Sequence, residues 1–267
     1  MIHIVYITVA YNAAAVVQRT LDSVGRQDYR QLTHMIIDGA STDNTLAMVQ
    51  SYASVQEATG NGHRVVIVSE PDSGIYDAMN KGLRLLATMQ AEETAEGVGY
   101  VCFLNAGDFL PTADIASRIA GAVTGPDYPA VVYGHTDIVD GDGRFLHHRR
   151  LAPPEHLSWR SFRKGMLVCH QAFYARADLA AATPYDRQYR YSADVDWCIR
   201  IMKTAADRHL PLQNLHAVAA NYTQEGQTTL HHRESLRERF RVMVSHYGWC
   251  STLLMHAWFV IRAILKR

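Results

Sequence analysis

Apolar residues recur in short runs along the first hundred positions, each closed by a polar turn. Ile2 to Val9 is a run of the kind a buried strand needs, and Met35 to Ile37, Val65 to Val68 and Tyr100 to Leu104 repeat it. Between the runs the period changes. Val17, Leu21 and Val24 share one helix face, as do Leu46, Val49 and Tyr52, and Asn12 is placed to cap the first of these helices. Alternating strands and helices predict an α/β protein with a Rossmann-like, mostly parallel central sheet and helices on both faces. Met89 to Gly97, acidic and rich in small residues, reads as a surface connection. Further on, the pattern predicts a hairpin over Val131 to Arg149 that turns at Asp140-Gly141-Asp142-Gly143. A helix from about Asp194 carries Trp197, Ile201 and Ala205 on its inner side. From His231 two helices follow, broken near Gly248.

Each of the four strand runs ends in a polar cluster: Ala10-Tyr11-Asn12, Asp38 to Asp43, Ser69 to Asp77, and Asn105 to Asp108. The C-terminal ends of parallel strands share one edge, and that edge is where such sheets bind ligands. Turns favour the same residue types, but four clusters on one edge point beyond turn-making. A dinucleotide site would open its first helix with G-x-G-x-x-G. Here the first strand runs into Ala-Tyr-Asn-Ala-Ala, and Gly60-Asn61-Gly62 precedes a strand. A P-loop is missing too. A nucleotide held here is held without a glycine-rich phosphate loop.

Bulk composition narrows the partners. The 267 residues suit one α/β domain, alone or with a C-terminal extension. Lys+Arg 26 balances Asp+Glu 26, which argues against a general nucleic-acid binder. The cysteines Cys102, Cys169, Cys198 and Cys250 are scattered with no C-x-x-C pair, so neither a disulfide framework nor a zinc site is expected. The opening MIHIVYITVAYN lacks a basic leader region. Both features suggest a reducing, cytoplasmic setting.

"ITVAYN", "IIDGASTDNT", "SEPDSGIYDAMNKG" and "FLNAGD", in that order and spacing, resemble the family 2 inverting glycosyltransferases with a GT-A fold. The nearest branch builds bacterial exopolysaccharide repeat units of the colanic-acid type. The resemblance is strong over 1–108 and thinner to about 230. It implies a nucleotide-sugar half at 1–108, an acceptor half at 109–230 and a helical extension at 231–267. It also implies transfer of a hexosyl group from a nucleotide-sugar donor, UDP-linked, to a glycan or lipid-linked acceptor. The donor residues it points to are Thr8, Tyr11, Asn12, Asp38, Asp72, Gly74, Asp77, Asn80 and Asn105, with Asp38 accepting a hydrogen bond from a uracil-like N–H. Asp77 also reads as a charge that complements a helix dipole.

The family's Asp-x-Asp motif, which holds Mg²⁺ or Mn²⁺ against the donor diphosphate, is reduced here to Asn105-Ala106-Gly107-Asp108. Asp108 is the implied metal ligand, with weak affinity before nucleotide arrives. "YSADVDWCIRI" resembles the family's Glu-Asp pair, with Ala193 in the Glu position and Asp194 as the implied base. Asp196 is the alternative, facing roughly the other way on the helix. His170-Gln171 resembles an acceptor-side "HQ", and Gly226-Gln227-Thr228 falls where relatives carry a closing loop. The Q-x-x-R-W signature of processive synthases is absent, which implies single-sugar transfer. Two other readings compete. One is a binding-only relative, motivated by Asn105 and Ala193. The other is a sugar-phosphate nucleotidyltransferase, which would carry a glycine- and arginine-rich loop where Ala10-Tyr11-Asn12 stands.

Near the C-terminus Leu236, Phe240, Met243 and Tyr247 form a helical stripe. Leu253, Leu254, Ala257, Trp258, Ile261, Ile264 and Leu265 then form a broader apolar face, relieved by Arg262. Spanning a bilayer takes about 20 apolar residues, and this segment is shorter. It reads as a helix lying on an anionic membrane surface, peripheral on the cytoplasmic face, or else packed on the domain or a partner subunit.

Overall fold

The computed structural model describes residues 1–92, 99–124, 128–224 and 232–265. Its centre is one sheet. β1 (His3–Ala10) lies in parallel between β2 (Leu32–Asp38) and β4 (Gly99–Phe103), and β3 (Arg64–Ser69) extends the parallel half beyond β2. The second half is mixed. β7 (Phe173–Arg176) runs antiparallel to both β4 and β5 (Val131–Val139). β5 then pairs antiparallel with β6 (Phe145–His148) and parallel with β8 (Leu212–Thr223). The strand order β3-β2-β1-β4 reverses direction at β1, so the crevice between the loops after β1 and β4 is a topological switch point.

Helices cover both faces. α1 (Val17–Gly25) and α2 (Thr45–Thr59) bury Val17, Leu21, Val49 and Tyr52 against Ile36. On the other face α3 (Ile75–Glu92) buries Ala78, Met79, Leu83 and Leu86 among Ile7, Met35 and Ile37. Gly82 lies in the middle of α3, where a Cβ would stand 2.7 Å from Ile7 Cγ2. Glycine therefore sets how closely α3 approaches the sheet. α4 (Ile115–Ala122), the short α5 (Ala177–Ala181) and α6 (Ala193–Asp207) complete the packing, and α6 buries Trp197, Ile201 and Ala205 as its period requires.

The hairpin at 131–149 forms as expected, as does the break at Gly248 (φ 77°) between α7 (His232–Tyr247) and α8 (Trp249–Leu265). Other expectations need correction. The stretch from Met89 is not a surface connection at its start, because α3 continues to Glu92 and Met89 is buried. Asn12 caps no helix. α1 begins at Val17, and Asn12 instead takes a left-handed conformation (φ 48°) that ties two loops together. In α7 Leu236 is exposed, and Val242 with Met243 forms the buried contact. Among the described residues no helix is long and apolar enough to cross a membrane. Gly226-Gln227-Thr228 and the expected boundary at 230/231 lie outside the described residues.

Candidate active site at the sheet edge

Strand register brings the first three polar clusters together. Ala10 lies opposite Asp38, and Asp38 opposite Ser69, so the loops after β1, β2 and β3 leave the sheet side by side. Asn12 straps the first two. Its Oδ1 accepts the Thr42 N–H at 2.8 Å and the Asp43 N–H at 3.4 Å, and its own N–H donates to Ser41 Oγ at 2.9 Å. Tyr11 projects beside this strap with 64% of its surface exposed.

Asp38 is not an open turn-end carboxylate. It is fully buried, and its oxygens accept from the Ser41 N–H (3.1 Å), the Ser41 hydroxyl (2.5 Å) and the Ser69 hydroxyl (2.6 Å). Thr8 is likewise buried, with its hydroxyl 2.9 Å from His34 Nε2, while His34 Nδ1 lies 3.0 Å from the Tyr52 hydroxyl. Burial, then the nearby His63, pushes the His34 pKa down to about 3, so this imidazole is neutral in the fold. The Thr8 side chain belongs to that interior chain and not to the edge.

The stretch 69–82 divides its work. Asp72 Oδ1 accepts the Gly74 N–H at 2.8 Å, and Gly74 has φ 121°, open to glycine and strained for other residues. Asp77 reaches back to the Ser73 N–H and hydroxyl, each at 3.0 Å, and pairs with Arg187 at 3.2 Å. The Ser73 N–H is the main reason its pKa is lowered. Asn80 clamps the Tyr185 backbone, donating to its carbonyl (2.9 Å) and accepting its N–H (2.7 Å). Lys81 holds the preceding loop through the Pro71 carbonyl (2.6 Å) and Glu70 (2.9 Å). Asn80, Lys81 and Gly82 are thus spent on architecture, while Asp72, Gly74 and Asp77 remain at the edge.

The fourth cluster meets the first turn of α6 and the turn at His170-Gln171. Asp194, in the first turn of α6, has a side chain 18% exposed. The Tyr76 hydroxyl donates to its Oδ1 at 3.2 Å, and His170 Nδ1 lies 3.4 Å from its Oδ2. Burial alone would raise the Asp194 pKa. The hydrogen bond and charge of His170, the charge of Arg239 on α7 and the Val195 N–H outweigh it, and the net shift is downward. Asp194 is therefore ionised. On the far side of the imidazole, Asn105 Nδ2 lies 3.4 Å from His170 Nε2, and Asn105 Oδ1 is buried with no hydrogen-bond partner among the described residues.

Gln171 is buried and turned toward Asp108. Its Nε2 donates to Asp108 Oδ2 at 2.7 Å, and the Thr223 N–H donates to Asp108 Oδ1 at 2.9 Å. Burial is the chief cause that lifts the Asp108 pKa to about 6. Asp196 points away from Asp194, into a pair of bonds from Arg200 and His246, each 2.7 Å. A cavity of about 600 Å³ is lined by Gly74, Tyr76, Asp77, Arg187, Tyr189 and Tyr191 among others, and Asp194 is not part of its lining. Tyr76 connects the two, since it lines the cavity and donates its hydroxyl to Asp194. Sequence reasoning did not single out Tyr76, although it sits inside a quoted motif. Arg239 carried no signal, since only the docking of α7 brings its charge near Asp194.

A divalent ion bridging a diphosphate takes oxygen ligands, usually one or two of them carboxylates. Both Asp108 oxygens are bonded within the protein, and the described residues contain no cluster of three metal-binding side chains. Asn105 Oδ1 is available but neutral. Each Asp108 oxygen keeps a second lone pair, so Asp108 is the one carboxylate here that would hold such an ion, with Asn105 Oδ1 as a neutral oxygen ligand. That carboxylate works as a latch joining the β4 loop, the His170-Gln171 turn and the end of β8.

Comparison with known proteins fits this geometry. The model of the family "Glycosyl transferase family 2" matches residues 6–181. A PGL/p-HBAD biosynthesis glycosyltransferase of Mycobacterium bovis is 33% identical over 216 residues, 80% of this chain and 74% of that protein. The amylovoran biosynthesis glycosyltransferase AmsB of Erwinia amylovora is 28% identical over 222 residues, covering 78% and 68%. Among solved structures, S. aureus TarS 1–349 in complex with UDP superposes at a TM-score of 0.64 with 15% identity, over 91% of this chain and 64% of that one. Glucosyl-3-phosphoglycerate synthase of M. tuberculosis, in complex with Mn²⁺, UDP and glucosyl-3-phosphoglycerate, gives 0.55 at 16% identity, over 92% and 80%. At such identities the two structures speak to fold alone, which is GT-A-like. With the family model spanning well over half the chain, the conclusion is direct: this protein belongs to glycosyl transferase family 2 and is a glycosyltransferase.

Proposed function

We propose that the protein transfers one sugar from a UDP-linked donor to a hydroxyl of a glycan or lipid-linked oligosaccharide, with inversion at the anomeric carbon. The observation that carries this reading is Asp194: a partly exposed carboxylate at the sheet edge, held by His170 and by Tyr76, which itself lines a cavity large enough for a sugar acceptor. In the step envisaged, the acceptor oxygen attacks the anomeric carbon as Asp194 takes its proton. The bond to the donor's diphosphate breaks, and the diphosphate leaves with the electron pair. His170 and Tyr76 orient the carboxylate toward the incoming hydroxyl. The loops after β1, β2 and β3 hold the nucleoside. The mycobacterial and Erwinia relatives, named for PGL/p-HBAD and amylovoran biosynthesis, support a bacterial cell-surface glycan or lipid-linked precursor as acceptor.

α8 adds a place to work. Trp249, Leu253, Leu254, Trp258 and Ile261 are exposed along it, which supports a helix resting on an anionic membrane where a lipid-linked acceptor resides. Incubating the protein with UDP-sugars and a panel of glycan and lipid-linked acceptors tests the reaction, with product configuration read by NMR. Release of UDP with a glycoside of inverted configuration is expected. A product of retained configuration, or no product across the panel, overturns the proposal.

A further inference from the structure

The proposed donor needs its base recognised, and the carboxylate expected for that task is out of reach. Asp38 is fully buried, with its oxygens accepting from Ser41 and Ser69, so a base could reach it only by breaking those bonds. The next residue, Gly39, has no side chain. A Cβ there would lie 2.4 Å from Asp72 Oδ2 and 3.3 Å from Tyr11 Cδ2. The carboxylate of Asp72, arriving from the loop after β3, therefore occupies the space that a side chain at position 39 would fill, against the exposed Tyr11 ring.

Building on the transferase reading, we propose that Asp72 reads the base, in a slot formed by its Oδ2, the Tyr11 ring and the bare backbone of Gly39, and that this slot selects uracil. The ring supplies a stacking face. Asp72 Oδ1 is fixed by the Gly74 N–H at 2.8 Å, which leaves Oδ2 as the acceptor at the slot. One free acceptor suits the single imide N–H of uracil. Guanine presents two adjacent donors, and a carboxylate matches them only with both oxygens. Uracil's flanking carbonyls need donors, and Asn12, next to Tyr11 in the chain and with its Oδ1 committed to the loop after β2, carries one in its Nδ2 amide.

Asp72→Asn converts the logic. The Gly74 N–H keeps the amide oxygen, and the new NH₂ then faces the base as a donor. Calorimetry of the full chain with UDP, CDP and GDP should show the variant losing affinity for UDP by about tenfold to a hundredfold. CDP, whose cytosine offers a ring-nitrogen acceptor where uracil has its N–H, should bind the variant at least as well as it binds the parent. Gly39→Ala, which displaces Asp72, should weaken UDP without favouring CDP. Far-UV circular dichroism should be unchanged in both variants. If the parent binds UDP and Asp72→Asn binds it equally well, or if the parent prefers GDP, the base assignment is overturned while the transferase reading stands. If the parent binds no nucleotide, the transferase reading fails and the base assignment with it.

Discussion

Single residues differ in how much their surroundings leave free, and two aspartates two positions apart show the difference. Asp194 keeps an exposed edge, while Asp196 is buried and bonded by Arg200 and His246. Asp196→Ala should therefore leave nucleotide affinity unchanged and lower stability by about 3 to 5 kcal/mol, the cost of breaking a buried pair. Urea denaturation checks this, and a stable variant with impaired donor binding would contradict it. His34 makes a pH prediction. Its folded pKa of about 3 lies below the usual 6.5, so the unfolded chain binds the extra proton across that interval. The stability it contributes is complete above pH 6.5 and drains away as pH falls toward 3. Asp108 opposes it: with a pKa raised to about 6 from 3.8, it favours the fold more as pH falls through that interval. His34→Gln should flatten the acid limb of the stability curve, and an unchanged limb would remove His34 as its source. Asp194 and His170 were legible in the sequence as a motif resemblance. The burial of Asp38 was not, because it depends on Ser41 and Ser69 from two different loops, and no local pattern announces that meeting.

Elements were legible where their period was long and their amphipathic face clear. β1 to β4, the hairpin at 131–149 and α6 follow directly from such patterns. β7 and β8 did not, because β7 is four residues long and β8 alternates weakly along twelve. Their pairings with β4 and β5 are settled by tertiary contacts between distant parts of the chain. α3 teaches a different point. "NKG" resembles the end of a helix, yet the helix runs ten residues further, from Gly82 to Glu92. Its Asn80, Lys81 and Gly82 fasten α3 to the Tyr185 backbone, the Pro71 loop and Ile7. Gly82→Ala would normally favour a helix by up to about 1 kcal/mol. Here the added Cβ meets Ile7 at 2.7 Å, so the substitution should destabilise instead, by about 1 to 3 kcal/mol. A stabilised variant in denaturant titration would show that α3 can retreat from the sheet without penalty.

At the scale of the molecule, the C-terminal helices divide into one that belongs to the site and one that faces outward. α7 is fastened to the part of the chain that carries Asp194 and Asp196. Glu238 accepts the N–H groups of Arg190 (2.9 Å) and Tyr191 (2.6 Å), His246 meets Asp196, and Tyr247 stacks on Trp159. α8 packs on α7 through Trp249 and His256 against Phe240 and leaves its other side exposed. Removing 249–267 should therefore abolish retention on anionic vesicles in a sedimentation assay while the far-UV spectrum keeps its shape. A truncated protein that still sediments with vesicles would place the membrane contact elsewhere. The central claim concerns what the assembled edge does, and one comparison tests it most directly: sugar transfer by the parent and by Asp194→Asn, with donor affinity measured in parallel. The substitution keeps the size of the side chain and removes its charge. Donor affinity should hold, while the transfer rate falls by a factor on the order of 10² to 10⁴, the usual share of a general base. A variant that transfers sugar at the parent's rate would contradict the account.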